Sequence, residues 1–256
     1  MKRYIKVLLT VLLFAVMLVP SVKASAAIAP AAPTGIELAC QAKSRFMFSW
    51  VYDGNIALST DNGNFGYEMV VTTLKNKKIK TVDLNVSQNY SYNTAYDAKY
   101  LTPNVLIATA DLSRMYMSLS SSKMQKQAFK IKVRAYTYDA TGAKLYGEYS
   151  SEKVIVPRAT IKSLKATSKS TGKIKWQKVA GAKSYTVYVS SNGGTKFKKQ
   201  GTTKATSYTV KNMKLGKEYP VYVVANGVKV KKKKYNSTKA EVKDSNGATI
   251  RIYLTY

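Results

Sequence analysis

The sequence predicts an all-β protein: two antiparallel β-sandwiches in tandem, following an N-terminal export segment. Three observations predict it. Short runs rich in Val, Ile, Tyr, Thr and Phe alternate with Gly, Asn, Asp, Ser and Lys, and no long amphipathic helical pattern interrupts them. There are 20 tyrosines, and aromatic and β-branched side chains suit a pleated, half-buried surface. The chain has 256 residues, 45% of them hydrophobic, enough for one or two packed cores and too apolar for global disorder.

At the N-terminus Lys2, Arg3 and Lys6 precede an apolar run, Val7 to Val19, broken by Thr10. Pro20 ends the run, and Ala24-Ser25-Ala26 is a small-x-small cleavage site. A membrane-spanning helix needs about 20 apolar residues. Residues 1–26 therefore read as a cleaved signal peptide in preference to a retained anchor. No second run of spanning length follows, so the expected product is secreted or cell-surface associated, with no transmembrane span after cleavage. Cys40 is the one cysteine and rules out an internal disulfide. It reads as a buried strand residue. Lipid attachment is the alternative, but Cys40 lies far beyond the apolar run.

In the second half, Ile161 to Ala166 is a first strand. Lys173-Ile174-Lys175-Trp176 alternates, with Ile174 and Trp176 inward and the lysines outward. Ala180-Gly181-Ala182 is a turn. Tyr185, Val187 and Val189 share one face of a third strand, and Asn192-Gly193-Gly194 turns the chain again. Phe197, Lys198 and Lys199 follow on a short strand, and Tyr208 and Val210 mark another. Tyr219, Val221, Val223 and Ala225 alternate on the sixth. Asn226-Gly227 then leads into a basic last strand from Lys229.

This order resembles a fibronectin type III domain: a strand ending in Trp176, then Tyr185-Thr186-Val187-Tyr188, then Met213 to Tyr219 and the run to Ala225. The resemblance implies an immunoglobulin-like sandwich. It also implies that Tyr219 sits at a corner and bonds back to nearby backbone. Met213 and Leu215 stand where the family has Leu and Pro. Pro220 within the sixth strand departs from the pattern and implies a bulge or a broken ladder.

The first half resembles a more divergent copy. Pro33 to Leu38 is its first strand. Phe46, Phe48 and Trp50 point inward on its second, Tyr67 to Val71 is its third, and Phe129 to Tyr136 its sixth. Gly147-Glu148-Tyr149-Ser150-Ser151 resembles the start of the seventh. Phe129 replaces the corner tyrosine. Leu84 to Gln127 exceeds the family's length and is expected to hold extra strands or a short helix around Leu119 to Lys126. The expected domains are thus 33–157, divergent with an enlarged middle insertion, and 158–240, with the boundary at Pro157-Arg158 and limited swing across so short a junction. Residues 241–256 form an extra strand. It reads first as an eighth strand on its own sheet, and alternatively as a strand offered to a protein partner by edge pairing.

The formal net charge is +29. It is uneven: residues 27–157 carry 15 basic and 10 acidic residues, residues 158–256 carry 23 and 3. Such an imbalance attracts polyanions. Histidine is absent, which removes imidazole bases, Ser-His-acid triads and imidazole metal sites. The 13 acids form no evident catalytic pair, and there is no phosphate loop or dinucleotide fingerprint. Asp61 to Gly66, with Asp53-Gly54-Asn55 upstream, has the residue types of a calcium loop but lacks the closing Glu, so it reads as a turn. The expectation is a non-enzymatic protein with no cofactor and no metal.

The candidate site is a basic face of Lys196, Lys198, Lys199, Lys229, Lys231, Lys232, Lys233 and Lys234, placed by the resemblance in one sheet, with Tyr188 and Tyr222 as aromatic neighbours. It reads either as a dock for a polyanion or as lysines that guard a sheet edge. Expected ligands of the dock are an anionic cell-envelope polymer such as teichoic acid, acidic polysaccharide, anionic lipid headgroups or extracellular nucleic acid. A spacer or assembly subunit, and an accessory to a polysaccharide-degrading system, are the alternative functions. No Leu-Pro-x-Thr-Gly sorting motif is present.

Overall fold

The computed structural model describes residues 28–42, 45–51, 65–85, 90–92, 106–108, 114–240 and 249–251. The segment 1–26 read as a signal peptide, most of the Asp53–Gly66 stretch and Ile252 to Tyr256 fall outside them. The described residues form strands and turns without helix. In chain order the strands of the first half are β1 (Glu37–Ala42), β2 (Arg45–Val51), β3 (Gly66–Thr73), β4 (Lys78–Asn85), β5 (Tyr90–Tyr92), β6 (Leu106–Ala108), β7 (Arg114–Ser120), β8 (Phe129–Tyr138), β9 (Lys144–Tyr146) and β10 (Lys153–Ile155). Those of the second half are β11 (Ile161–Ser168), β12 (Thr171–Trp176), β13 (Ser184–Ser190), β14 (Phe197–Thr203), β15 (Ser207–Val210), β16 (Glu218–Asn226), β17 (Val228–Val230), β18 (Lys233–Tyr235) and β19 (Thr249–Arg251).

The first sandwich packs sheet β1-β2-β7-β6-β5 against sheet β10-β8-β3-β4, with β9 beside β8. Side chains of period two build its core. Phe129, Ile131 and Val133 of β8 are buried while Lys130, Lys132 and Arg134 face out. Phe129 meets Phe46 and Phe48 edge-on at 5.5 and 6.3 Å. Trp50 meets Tyr67 edge-on at 4.9 Å. In the enlarged middle, β5 and β6 pair in parallel and extend the sheet beyond β7. The short helix does not form there. Met115, Met117 and Leu119 are buried at alternate positions of β7, and turns lead from Ser120 to Phe129, with Met124 buried in the core. The apolar side chains thus have the period of a strand. Cys40 is buried in β1 opposite Met47, so it is a small core residue and not a lipid-attachment site.

The second sandwich packs β11-β12-β15 against β14-β13-β16-β19. Trp176 meets Tyr185 edge-on at 5.5 Å, repeating the Trp50–Tyr67 contact of the first. The Lys214 N–H donates to the Tyr219 hydroxyl at 2.7 Å, and Gly216 supplies a φ of 72° in the turn between them. This is the expected tyrosine corner. Pro220 interrupts the ladder: β13 pairs with β16 only as far as Val221, and Pro220 sits opposite Thr249 of β19.

One edge of β16 is occupied piecewise. The Val223 carbonyl accepts the Ala159 N–H, the Ala225 carbonyl accepts the Ser237 N–H, and β19 pairs with Glu218–Pro220. Thr249–Arg251 is therefore a strand on the chain's own sheet. The basic run expected as the last strand of this sheet leaves it. β17 and β18 pair with each other as a separate hairpin.

At the junction Ile155 belongs to the first core, Val156 and Ala159 to the second. Ala128 and Leu74 pack on the second core, and the Ala180 N–H donates to the Lys126 carbonyl at 2.7 Å. Gln41 bonds both main-chain groups of Arg158.

Candidate functional site

The hairpin carries five of the eight predicted lysines. Val228, buried in the second core, anchors its first strand, and the Gly227 N–H donates to Asn236 Oδ1 at 3.1 Å at its base. Lys229, Lys231, Lys232, Lys233 and Lys234 are all exposed. Val230 pairs with Lys233, so Lys231 and Lys232 form a two-residue tip. Lys231 has φ 54°, a left-handed conformation that a two-residue turn normally gives to Gly, Asn or Asp. Lys229 lies directly opposite Lys234, a like-charge cross-strand pair that disfavours the hairpin. The segment thus carries backbone strain and self-repulsion at once.

The other three predicted lysines lie elsewhere. Lys196 is in the loop before β14, its N–H bound to Asn192 Oδ1 at 3.0 Å. Lys199 is registered against Tyr188, on the outer face of the sheet, whereas Lys198 is registered against Val189, which points into the core. A strand's alternation therefore sends Lys198 and Lys199 to opposite sides. The hairpin follows Asn226, which pairs with Ser184 at one end of β13, while Phe197 pairs with Ser190 at the other. Those ends are about 20 Å apart at roughly 3.3 Å per residue. The predicted single basic face is corrected to two groups, because the run 229–234 is displaced from the edge of β16.

The aromatic neighbours are not an open stacking surface. Tyr222 stacks on Tyr188 at 4.9 Å, touches Phe197 at 4.8 Å and has the Arg158 guanidinium 4.7 Å above its ring. Burial raises its pKa, with Arg158 opposing. Arg158 is itself buried. These rings and this cation are committed to one another, so Tyr188 and Tyr222 are not a free aromatic platform beside Lys199.

Elsewhere cations meet carboxylates. In the first sandwich Lys130 pairs with Glu152 at 2.7 Å, Arg134 with Glu68 at 2.8 Å and Lys144 with Asp83 at 2.6 Å. Arg134 also lies 3.7 Å above the Tyr146 ring, and Lys132 3.8 Å above that of Tyr149. The Asp83 partner raises the pKa of Lys144 against the effect of its own desolvation. Residues 158–217 contain no Asp or Glu, so this stretch has no carboxylate of its own to set against its lysines.

One further set of lysines escaped the sequence reading. Lys173 and Lys175 of β12 are exposed between the buried Gly172, Ile174 and Trp176, and Lys165 of β11 lies directly opposite Lys173. The outward lysines of the second strand and the acid-free stretch around them were the available signals. Their convergence with β11 needed the register. Among the described residues no group of acidic or cysteine side chains is placed to hold a metal ion, and no helix is long and apolar enough to cross a membrane.

The strand orders and two separate cores define the class: fibronectin type III-like sandwiches in tandem. No protein-family model matches the chain, and no curated protein matches it. Among solved structures it is similar to the FN1–FN3 domains of chicken contactin, with 14% identity and a TM-score of 0.29 over 88% of this chain and 67% of that one. It is similar also to a segment of two fibronectin type III domains from chicken tenascin, with 11% identity and a TM-score of 0.26 over 81% of this chain and 97% of that one. At those scores the fold assignment rests on the chain's own strand order and cores.

Proposed function

We propose that this is an exported, non-catalytic binding module that holds an anionic envelope polymer or acidic polysaccharide through its second sandwich, with hairpin Val228–Tyr235 as the principal contact. One observation carries the reading. Five exposed lysines crowd a hairpin that includes a left-handed lysine and an opposed lysine pair, in a domain whose residues 158–217 contain no acid. A polyanion relieves the repulsion as it binds, and affinity then comes mainly from released counterions. Protection of a sheet edge does not account for lysines on a hairpin that stands apart from the large sheets. Export is supported by the basic, apolar and small-residue order of residues 1–26. The absence of histidine supports a role without imidazole acid–base chemistry.

The test is retention of the chain on heparin and on a teichoic-acid matrix across a salt gradient. Retention at low ionic strength that is lost at high salt is expected, with much earlier elution when Lys229, Lys232, Lys233 and Lys234 are changed to Ser. No retention at low ionic strength refutes the reading. A second reading, a rigid spacer, is favoured by the junction, where Gln41 and Arg158 tie the sandwiches together. The spacer reading predicts a surface partner bound without salt dependence.

A further inference from the structure

We infer a second polyanion contact on the opposite layer of the second sandwich: the outer face of β11-β12-β15, carried by Lys165, Lys173 and Lys175. With the hairpin it makes the module bivalent, able to bridge two polymer chains. The inference rests on the polyanion reading above and extends it to a different face.

The register builds this face. Lys173 lies between Lys165 of β11 and Thr209 of β15, and Lys175 lies between Ser163 and Ser207. Each outward lysine of the central strand is thus flanked by at least one hydroxyl, and Lys165 and Lys173 oppose one another at a Cβ separation of about 5 Å. Lys173 and Lys175 repeat at roughly 7 Å along the strand. Strands β11, β12 and β15 themselves supply ammonium and hydroxyl donors and no carboxylate, because residues 158–217 contain none. Like charges directly opposed in a sheet are unfavourable, and a bound row of anions turns that repulsion into attraction.

Edge protection does not account for Lys173 and Lys175; Lys165, on the edge strand β11, joins them by lying opposite Lys173. β12 is the central strand of its sheet, paired on both sides, and charges that block edge-to-edge association belong on edge strands. The hairpin is rooted on β16, in the other layer. Packed sheets lie about 10 Å apart and turn their outer faces in opposite directions. The β11-β12-β15 face and the hairpin therefore present different lysines on different strands.

The experiment titrates the full chain with a heparin hexasaccharide by calorimetry and then mixes it with long-chain heparin under light scattering. Two hexasaccharides per chain are expected, and scattering rises as the long polymer is cross-linked. Replacing Lys165, Lys173 and Lys175 by Thr leaves one site and abolishes cross-linking. Thr suits a strand, so this variant melts at or above the unmodified chain. Replacing the hairpin lysines by Ser also leaves one site. A single site that the threonine variant keeps in full overturns the second face and spares the hairpin. A single site that the threonine variant destroys overturns bivalency and the hairpin reading together.

Discussion

The side-chain amide of Gln41 brackets the main chain of Arg158: its Nε2 donates to the Arg158 carbonyl at 2.9 Å, and its Oε1 accepts the Arg158 N–H at 2.8 Å. Gln41 has no exposed surface and Arg158 almost none. One amide thus satisfies a buried donor and a buried acceptor at the point where the two cores meet.

Gln41→Ala removes both of these bonds to the Arg158 main chain. Losing a bond to a buried main-chain group costs about 1–3 kcal/mol, so a total loss of roughly 2–6 kcal/mol is expected in urea denaturation. The two sandwiches should also separate into distinct unfolding transitions. An unchanged single transition contradicts the coupling.

The two corners form an internal comparison. Tyr219→Phe removes the acceptor of the Lys214 N–H and should cost about 1 kcal/mol. Phe129→Tyr, at the equivalent place, should also destabilise. Phe129 is fully buried against Phe46 and Phe48, and a hydroxyl there needs a partner to offset its desolvation. Equal gains from an added hydroxyl at both corners, read by thermal melts, would break the comparison.

Lys231→Gly separates folding from binding. Glycine adopts the φ of 54° without the steric cost, roughly 1 kcal/mol, that other residues meet there. Thermal stability should therefore rise slightly while heparin affinity falls severalfold. A variant that binds as tightly as the unmodified chain takes Lys231 out of the contact.

Alkaline stability should depend on Tyr149. Burial, and next the Glu68 carboxylate to which its hydroxyl donates, push its pKa up to about 12. The folded value lies above the unfolded value of about 10. The contribution is therefore complete below pH about 10 and is lost as pH rises through about 12. The stability difference between the unmodified chain and Tyr149→Phe should shrink between pH 9 and pH 12. A constant difference across that range removes the linkage.

What the sequence by itself determined was local. Strict alternation around Trp50 and Trp176 marked two interiors, because a strand repeats its faces every two residues. The resemblance to fibronectin type III modules placed the corner at Gly216 and Tyr219, and Pro220 marked the break in the ladder because proline has no N–H to give it. The helix expected between Leu119 and Lys126 did not form, because Met115, Met117 and Leu119 fill a core whose opposite wall is β8. The candidate site depended on distant partners. Ala159, Ser237 and Thr249–Arg251 occupy the edge of β16. With that edge already occupied, the lysine run from 229 to 234 stands off as a hairpin. Register likewise sends Lys198 and Lys199 to opposite faces and brings Lys165 against Lys173. Tertiary structure decided these placements, because strand register and edge occupancy are settled between segments far apart in the chain.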